Sequence, residues 1–134
     1  MKMSETAEKI SEVLQAFHRF EDGLLLSFEF NYAPGERLAA QVVFHARDHR
    51  IDGNVWKKVK VVVRGVEELS AKVSGHQFNS ICSGVRLLKF DEYWCVDIDG
   101  NYALDADPAS IDQVRQEGDL YVIGRDIEVY ELEG

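Results

Sequence analysis

The sequence predicts an α+β, β-rich fold: an antiparallel sheet or two-sheet sandwich of six to eight strands, with an amphipathic helix at the N-terminus and a short second helix near 108–116. Three observations lead there. Apolar residues recur at spacings of three and four only at the start of the chain, where Ala7, Ile10, Val13, Leu14 and Phe17 form one helical stripe. From Gly23 onward the period changes to two. The alternating runs then follow one another too closely for helical crossovers, which excludes parallel pairing. With 134 residues, of which 46% are hydrophobic and 29% charged, the chain is sized for one domain spanning 1–134 that buries a core.

The helix is expected over 4–17, with Ser4 or Thr6 as its cap and Glu5 and Glu8 where the helix dipole favours negative charge. In 23–32, Leu24, Leu26, Phe28, Phe30 and Tyr32 share the face assigned to the core. Ala33-Pro34-Gly35 is a turn, and 38–47 alternates again with Leu38, Ala40, Val42, Phe44 and Ala46 inward. Asp48 to Asn54 is a polar turn containing Asp-Gly, followed by a strand over 55–64 whose outer face, Trp56, Lys58, Lys60 and Arg64, is basic. Gly65 breaks or bulges that run, and 66–73 resumes it as a weaker strand. The runs 85–90 and 93–98 form a strand pair turning at Asp91 and Glu92. Asp107-Pro108 reads as a helix cap with proline in the first turn, and Gly118 as the residue past its end. A last hairpin is expected from 120–123 and 127–132, turning through Gly124, Arg125 and Asp126.

Charge is the unusual quantity. The net charge of -9 repels phosphate backbones, so nucleic acid is not an expected partner. No apolar run reaches bilayer-spanning length and the first residues are polar, so a cytoplasmic protein with no membrane partner is expected. Residues 1–90 hold 11 acids and 13 bases, whereas 91–134 hold 13 acids and only Arg115 and Arg125. Apolar residues are threaded through this last third, so it reads as a folded segment with an acidic outer face. Its exposed acids and aromatics, Asp91, Glu92, Tyr93, Asp97, Asp99, Tyr102, Asp105 and Asp107, are the candidate partner-binding residues. On the strand 93–98, alternation sends Trp94 inward and leaves Tyr93 partly exposed.

Chemical motifs are weak. Asp97-x-Asp99-x-Asn101, with Asp105 beyond, places oxygen side chains as a calcium loop does. However, its glycine comes fourth rather than sixth, and Pro108 stands where a bidentate Glu is needed, so solvated carboxylates in a turn fit better. His45 and His49 lie four apart, a metal-ligand spacing only on a helix, and the period of two places them at a strand end and in a loop. Cys82 and His76 share an irregular segment, and a nucleophilic pair there competes with the commoner arrangement of a buried thiol and an exposed imidazole. Cys82 and Cys95 lack Cys-x-x-Cys spacing and are read as buried free thiols. No cofactor motif and no catalytic residue is assigned.

The order helix, Phe20-Glu21-Asp22-Gly23 opening a strand, Val61-Val62-Val63-Arg64-Gly65-Val66-Glu67-Glu68-Leu69, and a closing Tyr121-Val122-Ile123-Gly124-Arg125-Asp126-Ile127-Glu128 resembles the small β-rich immunity proteins of bacterial polymorphic-toxin and contact-dependent inhibition systems, and related uncharacterised bacterial domains. Some members carry Phe-His-Asp where this chain has Phe20-Glu21-Asp22. The resemblance implies a non-enzymatic protein that neutralises a toxin domain by tight binding, often by an acidic face set against a basic enzyme. The competing expectations are self-association, with the basic face of 55–64 against the acidic third of a neighbouring copy, and a small-ligand or enzymatic role in a cavity between sheet and helix.

Overall fold

A computed structural model describes residues 2–4, 7–32, 35, 37–76, 78–100, 102 and 106–132. The elements in chain order are β1 (Lys2–Ser4), α1 (Ala7–Ala16), β2 (Leu24–Tyr32), β3 (Leu38–Arg47), β4 (Trp56–Ala71), β5 (Val85–Phe90), β6 (Tyr93–Ile98), α2 (Ile111–Glu117) and β7 (Leu120–Leu132). All strand pairs are antiparallel, and the sheet order is β2-β3-β4-β7-β6-β5, with β1 on the outer side of β7.

Two strands are longer than their patterns suggested. The runs 55–64 and 66–73 are one strand, β4, and the expected hairpin of 120–123 and 127–132 is one strand, β7. The two pair from Lys58 opposite Leu132 to Ala71 opposite Leu120, with a bulge between Val66 and Glu68. Gly65 adopts φ +61 against the Arg125 side chain, which supplies the local twist. Gly124 is required by crowding rather than by a turn: a Cβ there would stand 2.5 Å from Val63 Cγ1. The β4–β7 ribbon therefore joins two half-sheets. The first half of β4 continues through β3 to β2, and the first half of β7 continues through β6 to β5.

The main core fills one face of both halves. It holds Ile10, Val13 and Phe17 from the helical stripe, Val42 and Phe44 from β3, Val59, Val61 and Val63 from β4, and Trp94 and Val96 from β6. Phe17, Phe20 and Phe44 stack in sequence with ring centroids 5.6 and 4.7 Å apart. Complete burial of such a side chain contributes about 1.5–3 kcal/mol. A smaller cluster on the opposite face, Cys95, Val114, Tyr121 and Ile123, is covered by α2. That helix is capped by Ser110, whose hydroxyl accepts from Gln113 N, rather than by Asp107.

At the N-terminus Ser4 lies in β1 instead of the helix, while Thr6 and Glu5 lie outside the described residues, as do Ala33 and Pro34 of the first turn. A single turn, His18–Phe20, follows α1 with φ of 50°, 56° and 59°, three consecutive non-glycine residues in the left-handed region. Such residues cost about 1–2 kcal/mol each. Burial of Phe17 and Phe20 on either side holds the turn, with Phe20 N donating to Phe17 O at 2.9 Å and Asp22 N to Ile81 O at 2.9 Å.

The inward face assigned to β2 also changes. A bulge between Leu25 and Ser27 shifts the register, so Leu25 and Phe28 pack against the core while Leu26 turns out. Past the bulge, β2 continues as the sheet edge, with Phe30 57% and Tyr32 72% exposed.

Candidate functional site

The residues expected to form one acidic face divide into a surface group and a buried group. Asp91 and Glu92 are exposed on the turn between β5 and β6, with Asp91 in the left-handed region at φ 53°. Tyr93 is half-buried, with the Arg125 guanidinium 5.3 Å from its ring centroid, and Trp94 is in the core as alternation predicts.

Asp97 and Tyr102 are not on that surface. Asp97 follows the inward path of the smaller core and is 0% exposed, and Tyr102 is buried with it. The Tyr102 hydroxyl donates to Asp97 Oδ1 at 3.0 Å, and Arg86, only 4% exposed, donates from Nη1 to Asp97 Oδ2 at 3.4 Å and to Gly100 O at 2.9 Å. The other side of the same guanidinium reaches Asp107 Oδ1 from Nε at 3.0 Å, so Asp107, though exposed, is engaged. Burial pushes the Asp97 carboxyl above the usual carboxylate range, against the opposing pull of the Tyr102 hydroxyl and Arg86. A Cβ on Gly100 would stand 2.4 Å from Asp97 Oδ2, so the chain can pass over this carboxylate only as glycine.

Asp99 closes the next loop, accepting from the backbone N–H groups of Cys82, at 3.0 Å, and Ser83. The metal-like spacing of Asp97 and Asp99 therefore sends the two carboxylates to different internal partners. Asn101 and Asp105 lie outside the described residues, among which no group of three or more His, Cys, Asp and Glu could hold a metal ion. Cys82 is exposed, correcting its expected burial, and Cys95 is buried, with its thiol pushed up to about 12 chiefly by burial; both are free. No described hydrogen bond joins Cys82 to His76.

Much of the charge asymmetry is consumed inside the chain. Asp48, expected in a polar turn, is buried and accepts from Arg50 Nε at 2.9 Å and Lys57 Nζ at 3.0 Å, while Arg50 also pairs with Glu131. Arg64 pairs with Glu128 at 3.1 Å, and Lys60 lies 5.2 Å over the Tyr130 ring. On the basic face of β4, Arg64 thus meets an acid of the last third within the same chain, on β7, while Lys58 stays exposed. His49 stacks on His18 with centroids 3.5 Å apart, and His45 lies against Trp56, so neither histidine pairs with the other as a ligand set.

One surface ion network forms a rim at one end of the sheet. Arg37, just before β3, pairs with Glu67 at 3.5 Å; Glu67 pairs with Arg125 at 3.5 Å; Arg125 pairs with Glu92 at 3.4 Å. The chain of ions begins where Tyr32 pairs with Leu38 and ends at the Asp91–Glu92 turn. Exposed Phe30 and Tyr32 alternate with Phe28 on the main-core side of β2, whereas Tyr93 packs against the smaller cluster on the opposite face. The aromatic half was hidden from sequence reasoning by alternation, which assigned Phe30 and Tyr32 to the core. No protein family matches the chain, and neither does any curated protein or solved structure. Among the described residues no helix is long and apolar enough to cross a membrane.

Proposed function

We propose that the protein is a non-enzymatic protein-binding module that meets its partner across this rim. The observation that carries the reading is the exposure of Phe30 and Tyr32 on the edge strand β2, with the Arg37–Glu67–Arg125–Glu92 ion chain beginning next to Leu38, the register partner of Tyr32, and running to the Asp91–Glu92 turn. Exposed aromatics bordered by charge supply the apolar anchors and steering groups of protein interfaces. The resemblance to bacterial immunity proteins supports a finer reading: a cytoplasmic inhibitor set against a basic toxin domain. Of the acidic face first assigned, Asp91, Glu92 and Tyr93 serve that role, whereas Asp97, Asp99 and Tyr102 serve the fold.

A photo-crosslinking residue placed at Tyr32 or at Glu92, in cells that make the protein, tests this. One partner should be captured from both positions, none from Val73, and capture should fall at least tenfold with Phe30→Ser. Absence of crosslinks at both rim positions would refute the proposal. The edge of β2 beyond Leu25, where the bridge from Leu24 to Ser80 ends, favours a second reading, antiparallel pairing of two copies along that strand. Crosslinks only to a second copy, with a dimer by sedimentation that Phe30→Ser abolishes, would select it.

A further inference from the structure

The groove between α1 and β5 lies away from the rim and has its own chemistry. It encloses about 310 Å³, in the range of small-ligand sites, with Ile10 and Leu14 of α1 on one wall and Leu87 and Trp94 on the other. Arg19 enters it from the left-handed turn at φ 56°, and its Nη2 is buried with no hydrogen-bond partner among the described residues. A buried guanidinium nitrogen without an acceptor carries a desolvation cost that an anion seated against the Arg19 guanidinium would offset.

The surroundings specify which anion. Lys89 lines the groove and lies 4.8 Å over the Trp94 ring. Arg86 also lines it, but its charge is already answered by Asp97 and Asp107, and Asp107 stands at the groove's margin. The two remaining cations beside an acidic margin suit a monoanion better than a doubly charged phosphate. The planar fork of arginine matches a carboxylate, and the apolar walls suit a short hydrocarbon body behind it. The backbone adds donors: Asp99 N bonds Gly84 O, so the ladder alternation turns the N–H and C=O of Val85 and Leu87 to the unpaired side of β5. We propose that this groove binds a carboxylate, gripped by Arg19, with its apolar body between α1 and Trp94. The carboxylate belongs either to a small organic acid or to a peptide C-terminus extended along β5.

The Arg19→Gly variant separates this site from the fold, because glycine accepts the left-handed conformation without a side chain's steric cost. In ¹H–¹⁵N spectra, hexanoate should shift the Arg19 Nε–H, the Trp94 indole N–H and the amides of Val85 and Leu87 in a saturable, millimolar titration. Hexanamide should leave them unmoved, inorganic phosphate should bind at least tenfold more weakly, and Arg19→Gly should lose at least tenfold in affinity while melting no lower than the parent. An N-acetylated tetra-alanine peptide with a free C-terminus, compared with its amide, assigns the source: binding tenfold tighter than hexanoate points to a peptide, weaker binding to a small acid. Equal shifts with hexanamide, phosphate binding as strong as hexanoate, or unchanged affinity in a folded Arg19→Gly protein would overturn the proposal.

Discussion

Replacing Asp97 by alanine removes a carboxylate that both Arg86 and the Tyr102 hydroxyl use. Arg86 loses one of its acceptors, keeping Gly100 O at 2.9 Å and Asp107 at 3.0 Å, and the Tyr102 hydroxyl loses the acceptor it has at 3.0 Å. Breaking a buried ion pair costs about 3–5 kcal/mol. The low end applies here, because the Arg86–Asp97 contact is long at 3.4 Å and the substitution also removes a carboxyl that burial disfavours as an anion. A loss of about 3 kcal/mol follows, and at about 4 °C per kcal/mol for a chain of this size the melting temperature falls by about 12 °C. Asp97→Lys sets a second cation against Arg86 and should not fold. Asp97→Asn keeps an acceptor for Tyr102 without the buried charge, and should cost about 1–2 kcal/mol. The native state also holds this carboxyl's proton more tightly than the unfolded chain. Its contribution is therefore complete below about pH 3.8 and declines as pH rises through the raised native value, a slope that Asp97→Asn should lack. Urea unfolding followed by circular dichroism measures the series. An Asp97→Ala protein within 1 kcal/mol of the parent, or a stable Asp97→Lys protein, would refute the buried-cluster reasoning and return Asp97 to the solvated face that alternation suggested.

Asp48→Ala should cost about 2–4 kcal/mol, because the carboxylate accepts from Arg50 and Lys57 while buried. The Arg50 hydrogen bond holds this carboxyl well below its usual range, so its stabilisation is present above about pH 3.8 and lost as pH falls toward the lowered value; acid titration of Asp48→Ala should show a flatter limb. For His49, which is exposed, desolvation beside the stacked His18 ring together with the charges of His18 and Arg47 pushes the imidazole below its usual range, so the unfolded chain takes up its proton first and stability declines as pH drops through 6.5. Melting temperatures from pH 8 to 5 should show a decline that His49→Gln reduces, and an identical profile in that variant would contradict the stacked geometry.

Where a pattern reports local geometry, the sequence reading holds. The helical stripe Ile10, Val13 and Phe17, the alternation of β3, and the β5–β6 pair with its turn at Asp91 and Glu92 all stand, because side-chain period follows backbone geometry directly. Gly124 misled, and Gly65 left a break and a bulge both open, of which the bulge is found, because glycine marks a turn, a bulge or a close approach alike and only the neighbouring strand distinguishes them. Here the Val63 side chain and Arg125 decide, turning expected breaks into the continuous strands β4 and β7. The left-handed His18–Phe20 turn left no trace in composition, being imposed by aromatic burial on both sides.

The candidate surface divides in the same way. Residue order alone determined an antiparallel β-rich fold with a helix packed on its core, and a last third rich in acids. It could not determine which acids face water, since a carboxylate at a given strand position is solvated or buried according to what crosses above it. Tertiary structure decided that Asp97 lies beneath Tyr102 and Arg86, that Arg64 and Lys57 of β4 spend their charge on Glu128 and Glu131 of β7, and that β2 ends the sheet with Phe30 and Tyr32 uncovered. The physical reason is that periodicity is a property of one strand, whereas burial and charge pairing belong to neighbours that the chain brings together from far along its length.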